Sequence, residues 1–235
     1  LGISEYMDGL RAFRASGTAE AIARAIELDF VYFVEPRLEL VLQHDESTPL
    51  VNSDAGRANF NGGRNQAAQA GVLDSGFNFT HSALDHVSWV GWDYRGMTIP
   101  GALTSDDVCG HGTHVSGTIL GLPSGTANDE HTGNAPGLGY SGAGRFRIVR
   151  AFGAGSCPSP NNCCWLSLAS TSAMYANFAT PYTSGGLTTP KAHVVNNSWG
   201  SAPCTSTCVC SAFLGTDFES RAADIAVNVD DILYV

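Results

Sequence analysis

The stretch Cys109-Gly110-His111-Gly112-Thr113-His114-Val115-Ser116-Gly117-Thr118 decides how this chain is read. It frames one histidine with small residues and sets a second three positions on. Gly112, Thr113 and Gly117 are poor helix formers, so propensity alone would not make 111–121 a helix. Its neighbours suggest one. Ala70-Gly71-Val72-Leu73 is a short buried-strand candidate ending at Asp74, Phe146–Phe152 is a second, and His193-Val194-Val195-Asn196 is a third. Trp165–Phe178 and Phe218–Val227 have helical character, and Ile232-Leu233-Tyr234-Val235 begins another strand. Strands and helices alternating at this spacing predict a parallel sheet covered on both faces. Sites in such sheets form where loops at the carboxyl ends of strands converge. Asp74-Ser75-Gly76, His111 and Asn197-Ser198-Trp199-Gly200 all fall at such places.

Towards the N-terminus, residues 18–28 read as a helix. Thr18 can cap it, Glu20 lies in the favourable first turn, and Ile22 and Ile26 share a face. Phe30-Val31-Tyr32-Phe33-Val34 is aromatic and β-branched, a strand signal ended by Pro36. Leu38, Leu40 and Leu42 alternate in strand fashion. Residues 44–70 turn polar and loop-rich, which predicts a boundary there. The expected division is a small segment, 1–45, and a larger unit, 46–235.

The 235 residues are 43% hydrophobic and 14% charged, a profile for a packed, loop-rich globular protein. A net charge of -10 argues against nucleic acid as a partner. No apolar run is long enough to span a membrane. Leu1 opens neither an initiator Met nor a signal-peptide pattern, so a processing boundary is expected there. Seven cysteines are present, at 109, 157, 163, 164, 204, 208 and 210. Disulfides in an oxidising compartment are the expected use, with one thiol left over. Zinc is the rival, but Cys204, Cys208 and Cys210 lack paired spacing and a nearby His.

Three blocks, taken in order, resemble the subtilisin-like serine proteases (peptidase family S8). Ala70-Gly71-Val72-Leu73-Asp74-Ser75-Gly76 followed by His81 is similar to their aspartate block. His111 to Thr118 is similar to their histidine block, 37 positions after Asp74. Val194 to Gly200 is similar to the strand that lines their primary specificity pocket. The resemblance covers roughly residues 50–235. It implies an α/β fold: a three-layer subtilisin-like arrangement with a parallel sheet, incomplete at the C-terminus. The small α+β segment before it looks like the end of a propeptide, a folding aid and inhibitor.

By the same resemblance His111 is the general base and acid, and Asp74 fixes its tautomer and stabilises the imidazolium. Ser198, Trp199 and Gly200 would offer backbone to an extended peptide or protein substrate. Trp199 either reshapes the pocket or packs in the core. His114 is expected to pack and hydrogen-bond within its helix, with a His111/His114 metal pair as the weaker alternative. Calcium often binds such enzymes in the loop after the histidine helix, where this chain has Asp129 and Glu130. The acid expected two residues after His81 is Ala83, and Asp85 is displaced by two, so a solvated acidic loop is the expectation and calcium the alternative.

The family's nucleophile sits in a Gly-Thr-Ser block that does not occur in these residues. Ser170-Thr171-Ser172-Ala173-Met174 lacks the leading Gly and the Pro. The oxyanion Asn expected after the strand at Ile232 is not present either. Loss of the nucleophile costs about 10⁶ in turnover, and loss of the oxyanion Asn about 10²–10³. These residues alone are therefore expected to be inactive. One reading is a secreted, extracellular endopeptidase whose serine lies in a C-terminal remainder or second chain. The alternative is an inactive binding or structural subunit, favoured if the junction between residues 30 and 75 stays uncut.

Overall fold

A computed structural model describes residues 1–7, 11–35, 40–42, 68–104, 106–122, 132–139, 146–155, 163–184, 186–201 and 218–235. Its centre is a six-stranded sheet. The strands are β4 (Ala70–Asp74), β5 (Trp89–Asp93), β6 (Gly101–Ala102), β7 (Phe146–Arg150), β12 (Val194–Asn196) and β14 (Leu233–Tyr234), in the order β14-β12-β4-β7-β5-β6. Five are parallel, and β6 closes one edge antiparallel.

Successive side chains of a strand face opposite sides. Val72 and Ile148 therefore enter one core with Leu84, Leu103 and Leu120. Leu73 and Val149 enter the other with Met174, Phe178 and Val195. Helix α2 (His111–Leu120) covers the first face, and α3 (Thr171–Ala179) and α4 (Phe218–Asp230) pack together on the second. This is the three-layer α/β arrangement predicted from the alternation. Both faces being covered explains why β7 is buried at all five positions, including Arg147 and Arg150.

Several expectations need correction. Phe30–Val34 forms no strand: Phe30 is 68% and Tyr32 97% exposed. A strand exists by pairing, and here Phe33 instead lies under the Arg221 guanidinium of α4 at 5.5 Å. The expected helix from Trp165 begins only at Thr171, because Ser170 caps it by accepting the Ala173 N–H. Cys163–Trp165 is instead strand β9, antiparallel to β8 (Phe152–Ala154). That pairing also ends the expected strand 146–152 at Ala151, where the chain leaves the main sheet. Of the Leu38–Leu42 pattern, Leu40–Leu42 forms β3. Residues 43–67, and with them the 45/46 boundary, lie outside the described residues.

The N-terminal segment holds a hairpin that the sequence reading missed, β1 (Gly2–Met7) and β2 (Ala12–Ser16). Helix α1 (Ala19–Ile26) follows, with Thr18 accepting the Ala21 N–H as its cap. A second hairpin, β10 (Tyr182–Ser184) and β11 (Leu187–Thr189), follows α3. The first hairpin sits at the start of α3. Glu5 accepts the Ser170 N–H at 3.2 Å, Arg14 donates to the Leu168 carbonyl at 3.0 Å, and Met7 joins the core. Among the described residues no helix is long and apolar enough to cross a membrane.

Candidate active site

The carboxyl end of β4 delivers Asp74, fully buried, against the first residue of α2. His111 Nδ1 lies 2.9 and 3.0 Å from the two Asp74 oxygens. A carboxylate can only accept, so Nδ1 carries the proton and Nε2 is left as the basic nitrogen. Burial pushes the Asp74 carboxyl above its ordinary value. The bond and charge of His111 and the Ser75 amide pull it back, and the nearby Asp107 charge pushes it up again. The His111 side chain is 9% exposed, so the ring sits at the edge of solvent.

Close approach of β4 and α2 depends on glycine. A Cβ on Gly112 would lie 2.4 Å from the Gly76 carbonyl oxygen. Gly110, the N-cap position, has φ +73° and no side chain to cap the helix. The orphan N–H groups of the first turn are satisfied from elsewhere. Ser75 Oγ accepts from Gly112 N–H at 2.9 Å, and Asp107 Oδ2 accepts from Thr113 N–H at 2.7 Å and its hydroxyl at 2.6 Å. Asp107 Oδ1 accepts the Ser75 hydroxyl at 2.7 Å and the Gly110 N–H at 3.1 Å. Ser75 N–H donates to Asp74 at 2.6 Å. The sequence reading passed over Ser75, Asp107 and Thr113. The Asp placed four residues before His111 was the available signal.

The loop before α2 is fixed twice more. Buried Arg150 donates to Asp106, to Thr104 Oγ1 at 2.9 Å and to Asp93 at 2.6 Å, and Arg95 clasps Asp93 as well. Burial works against ionisation of Asp93, but the Arg150 and Arg95 hydrogen bonds outweigh it and hold the carboxyl below its usual range. The Cys109–Cys163 disulfide ties the loop to β9. Cys164 is disulfide-bonded too. Cys157, Cys204, Cys208 and Cys210 lie outside the described residues.

Ser198 follows β12 by way of Asn197, and Trp199 and Gly200 open β13 (Trp199–Ser201). Ser198 Oγ donates to Asn196 Oδ1 at 2.7 Å. Trp199 Nε1 donates at 3.1 Å to the Leu73 carbonyl, one residue before Asp74, and its ring packs near Phe152 and Trp165. Its observed environment is thus core packing. β13 is paired antiparallel with β3, Trp199 opposite Leu42 and Ser201 opposite Leu40, and β3 also runs beside β9.

His114 does not pack into the core as expected. Its side chain is exposed and lines a cleft of about 460 Å³ with His81, Thr113, Gly117 and Thr132. Position 114 lies on the solvent side of α2, whereas Ser116 and Leu120 face inward. Among the described residues no three His, Cys, Asp or Glu side chains gather to hold a metal. Ala83, which stands where the acid is expected, uses its carbonyl to accept the Leu122 N–H at 3.0 Å. Asp129 and Glu130 lie outside the described residues.

The subtilase family (Peptidase S8) matches residues 66–231. The subtilisin-like serine proteases Cur l 4.0101 of Cochliobolus lunatus and Cla h 9.0101 of Davidiella tassiana are each 38% identical over 78 residues, 33% of this chain and 14% of theirs. Subtilisin-like protease 8 of Arthroderma otae is 38% identical over 84 residues, 36% of this chain and 16% of that protein. The matched stretch is thus about one-seventh of these relatives' length. A crystal structure of the psychrophilic subtilisin-like protease Apa1 from Pseudoalteromonas sp. AS-11 aligns with a TM-score of 0.43 and 24% identity, over 69% of this chain and 29% of that one. The family match runs from ahead of β4 to the end of α4 and takes in Asp74, His111 and the strand leading to Ser198, and on it this chain belongs to the subtilase family.

Proposed function

We propose that this chain is the N-terminal part of a secreted subtilisin-like serine endopeptidase in precursor form, acting on peptide or protein substrates. The observation that carries the reading is the 2.9 Å contact of His111 Nδ1 with the buried Asp74 carboxylate. That contact leaves Nε2 to take the proton of a serine hydroxyl as it attacks the scissile carbonyl. The same nitrogen then returns the proton to the leaving amine, while Asp74 stabilises the imidazolium. The serine is supplied from beyond these 235 residues. Ser198, Trp199 and Gly200 take an extended substrate by strand addition. The disulfides fit an oxidising, extracellular setting.

Two contacts support the precursor form. β3 pairs antiparallel along β13, the edge assigned to substrate. Glu5 and Arg14 hold the first hairpin at the start of α3. Residues 1–45 then act as the propeptide-like segment, and 46–235 belong to the peptidase domain.

Fluorophosphonate labelling of the complete protein tests the activity. The expected result is a labelled serine, with labelling reduced about 10⁴–10⁶-fold by His111→Ala. A folded complete protein with no labelled serine overturns it in favour of an inactive binding subunit. N-terminal sequencing tests the precursor form: a new terminus between His44 and Ala70 is expected, and an intact junction counts against it.

A further inference from the structure

We infer that Asp107 is a positioning residue, holding His111 against Asp74 through Ser75 and the first turn of α2. The inference rests on the reading of Asp74 and His111 as the catalytic pair.

The direction of each bond in the cluster is fixed by chemistry. The Gly112 N–H can only donate and the Asp107 carboxylate can only accept. Ser75 has one hydroxyl proton, which goes to Asp107, so its lone pair is what faces Gly112. The relay from Gly112 through Ser75 to Asp107 therefore runs one way. Asp107 also grips Thr113 by both its N–H and its hydroxyl. His111 lies between Gly110 and Gly112, and each of these donates its N–H to this cluster. Ser75 holds an Asp74 oxygen by its own N–H. Both members of the pair are thus fixed through residues that Asp107 orients.

Asp107 also has a charge to spend. The other charged groups packed on the loop before α2 are Asp106 beside it, Asp93 on β5, Arg95 after it and Arg150 on β7. Arg150 and Arg95 engage Asp93 and Asp106. Among the described residues Asp107 enters no ion pair, and it accepts hydrogen bonds from the neutral donors of Ser75, Gly110 and Thr113. An uncompensated carboxylate beside the pair favours the imidazolium.

The test is the titration of His111 in the 235-residue chain, followed by NMR of its ring. Asp107→Asn keeps the shape but loses the charge and an acceptor. It is expected to lower the His111 midpoint by about half a pH unit or more. Ser75→Ala, which breaks the relay and keeps the charge, is expected to lower it less. Asp231→Asn, on a side chain 99% exposed, is the control and leaves it in place. An unmoved midpoint in folded Asp107→Asn overturns the inference. If that variant fails to fold, an unmoved midpoint in Ser75→Ala overturns it. Asp74→Asn separates the two levels: if it leaves His111 unmoved, the pair itself is wrong. A moved midpoint without fluorophosphonate labelling removes the proposed activity and leaves the positioning role standing.

Discussion

Strand β7 carries two fully buried arginines, and they serve different ends of the molecule. Arg147 points to the α3 side and, among the described residues, meets no carboxylate. It donates to the carbonyls of Asn177, Thr180, Thr189 and Pro190, closing the last turn of α3 and the approach to β12. Burial without a counter-charge lowers its guanidinium to about 10. Arg150 points to the α2 side and meets Asp93 and Asp106, so it fixes the loop that leads to His111. The residue type, the strand and the burial are the same. The partners decide the role: carbonyl dipoles make a helix cap, carboxylates make an anchor for the site.

That contrast can be broken most forcefully at Arg150. Arg150→Met strands two carboxylates, one of them buried, and should cost about 3–5 kcal/mol in denaturant unfolding while also shifting the His111 titration. Arg147→Met leaves carbonyls without donors and should cost about 2–4 kcal/mol with the His111 titration unchanged. A shift there would erase the distinction. The two arginines also predict opposite pH signatures. Asp93 titrates low when folded, so its contribution is present above the ordinary carboxylate value near 3.8 and is lost as pH falls through the folded value. Asp93→Asn should remove about 1–2 kcal/mol at neutral pH and flatten the acid limb of stability below about pH 4. Arg147 is lowered when folded, so above about 10 the unfolded chain binds more protons and this group favours folding as pH rises. Arg147→Met should remove that alkaline gain, read as a steeper loss of stability there. The smallest effect is at the other end of α3, where Glu5→Gln should cost about 0.3–1 kcal/mol by weakening a charge at a helix N-terminus.

What could be read from the sequence was local. β4, β12 and β14 announce themselves as short apolar runs, and α4 by its character. Asp74 and His111 stand at an element's end and an element's start, which makes them visible without a structure. Asp107 stands four residues before His111, but its role was not legible there, because it lies in a contact with Ser75 across 32 positions. The pairing of β3 with β13 joins residues about 160 positions apart, and no period in either segment points to it. Phe30–Val34 misled for the opposite reason: the composition suits a strand, but among the described residues the segment pairs with none. Trp165 misled because the neighbouring Cys163 is tied to Cys109, which draws the segment into β9 and delays the helix to Ser170.

The pairing of β3 with β13 has a consequence for concentration. A strand tethered to the strand it pairs with is present there at an effective concentration on the order of millimolar. A free peptide seeking that edge competes against this figure while the tether holds. Cutting the chain between β3 and β4 leaves the β3–β13 pairing in place but makes retention depend on dilution. Occupancy of β13 would then fall as the sample is diluted after cleavage, and would stay constant before it.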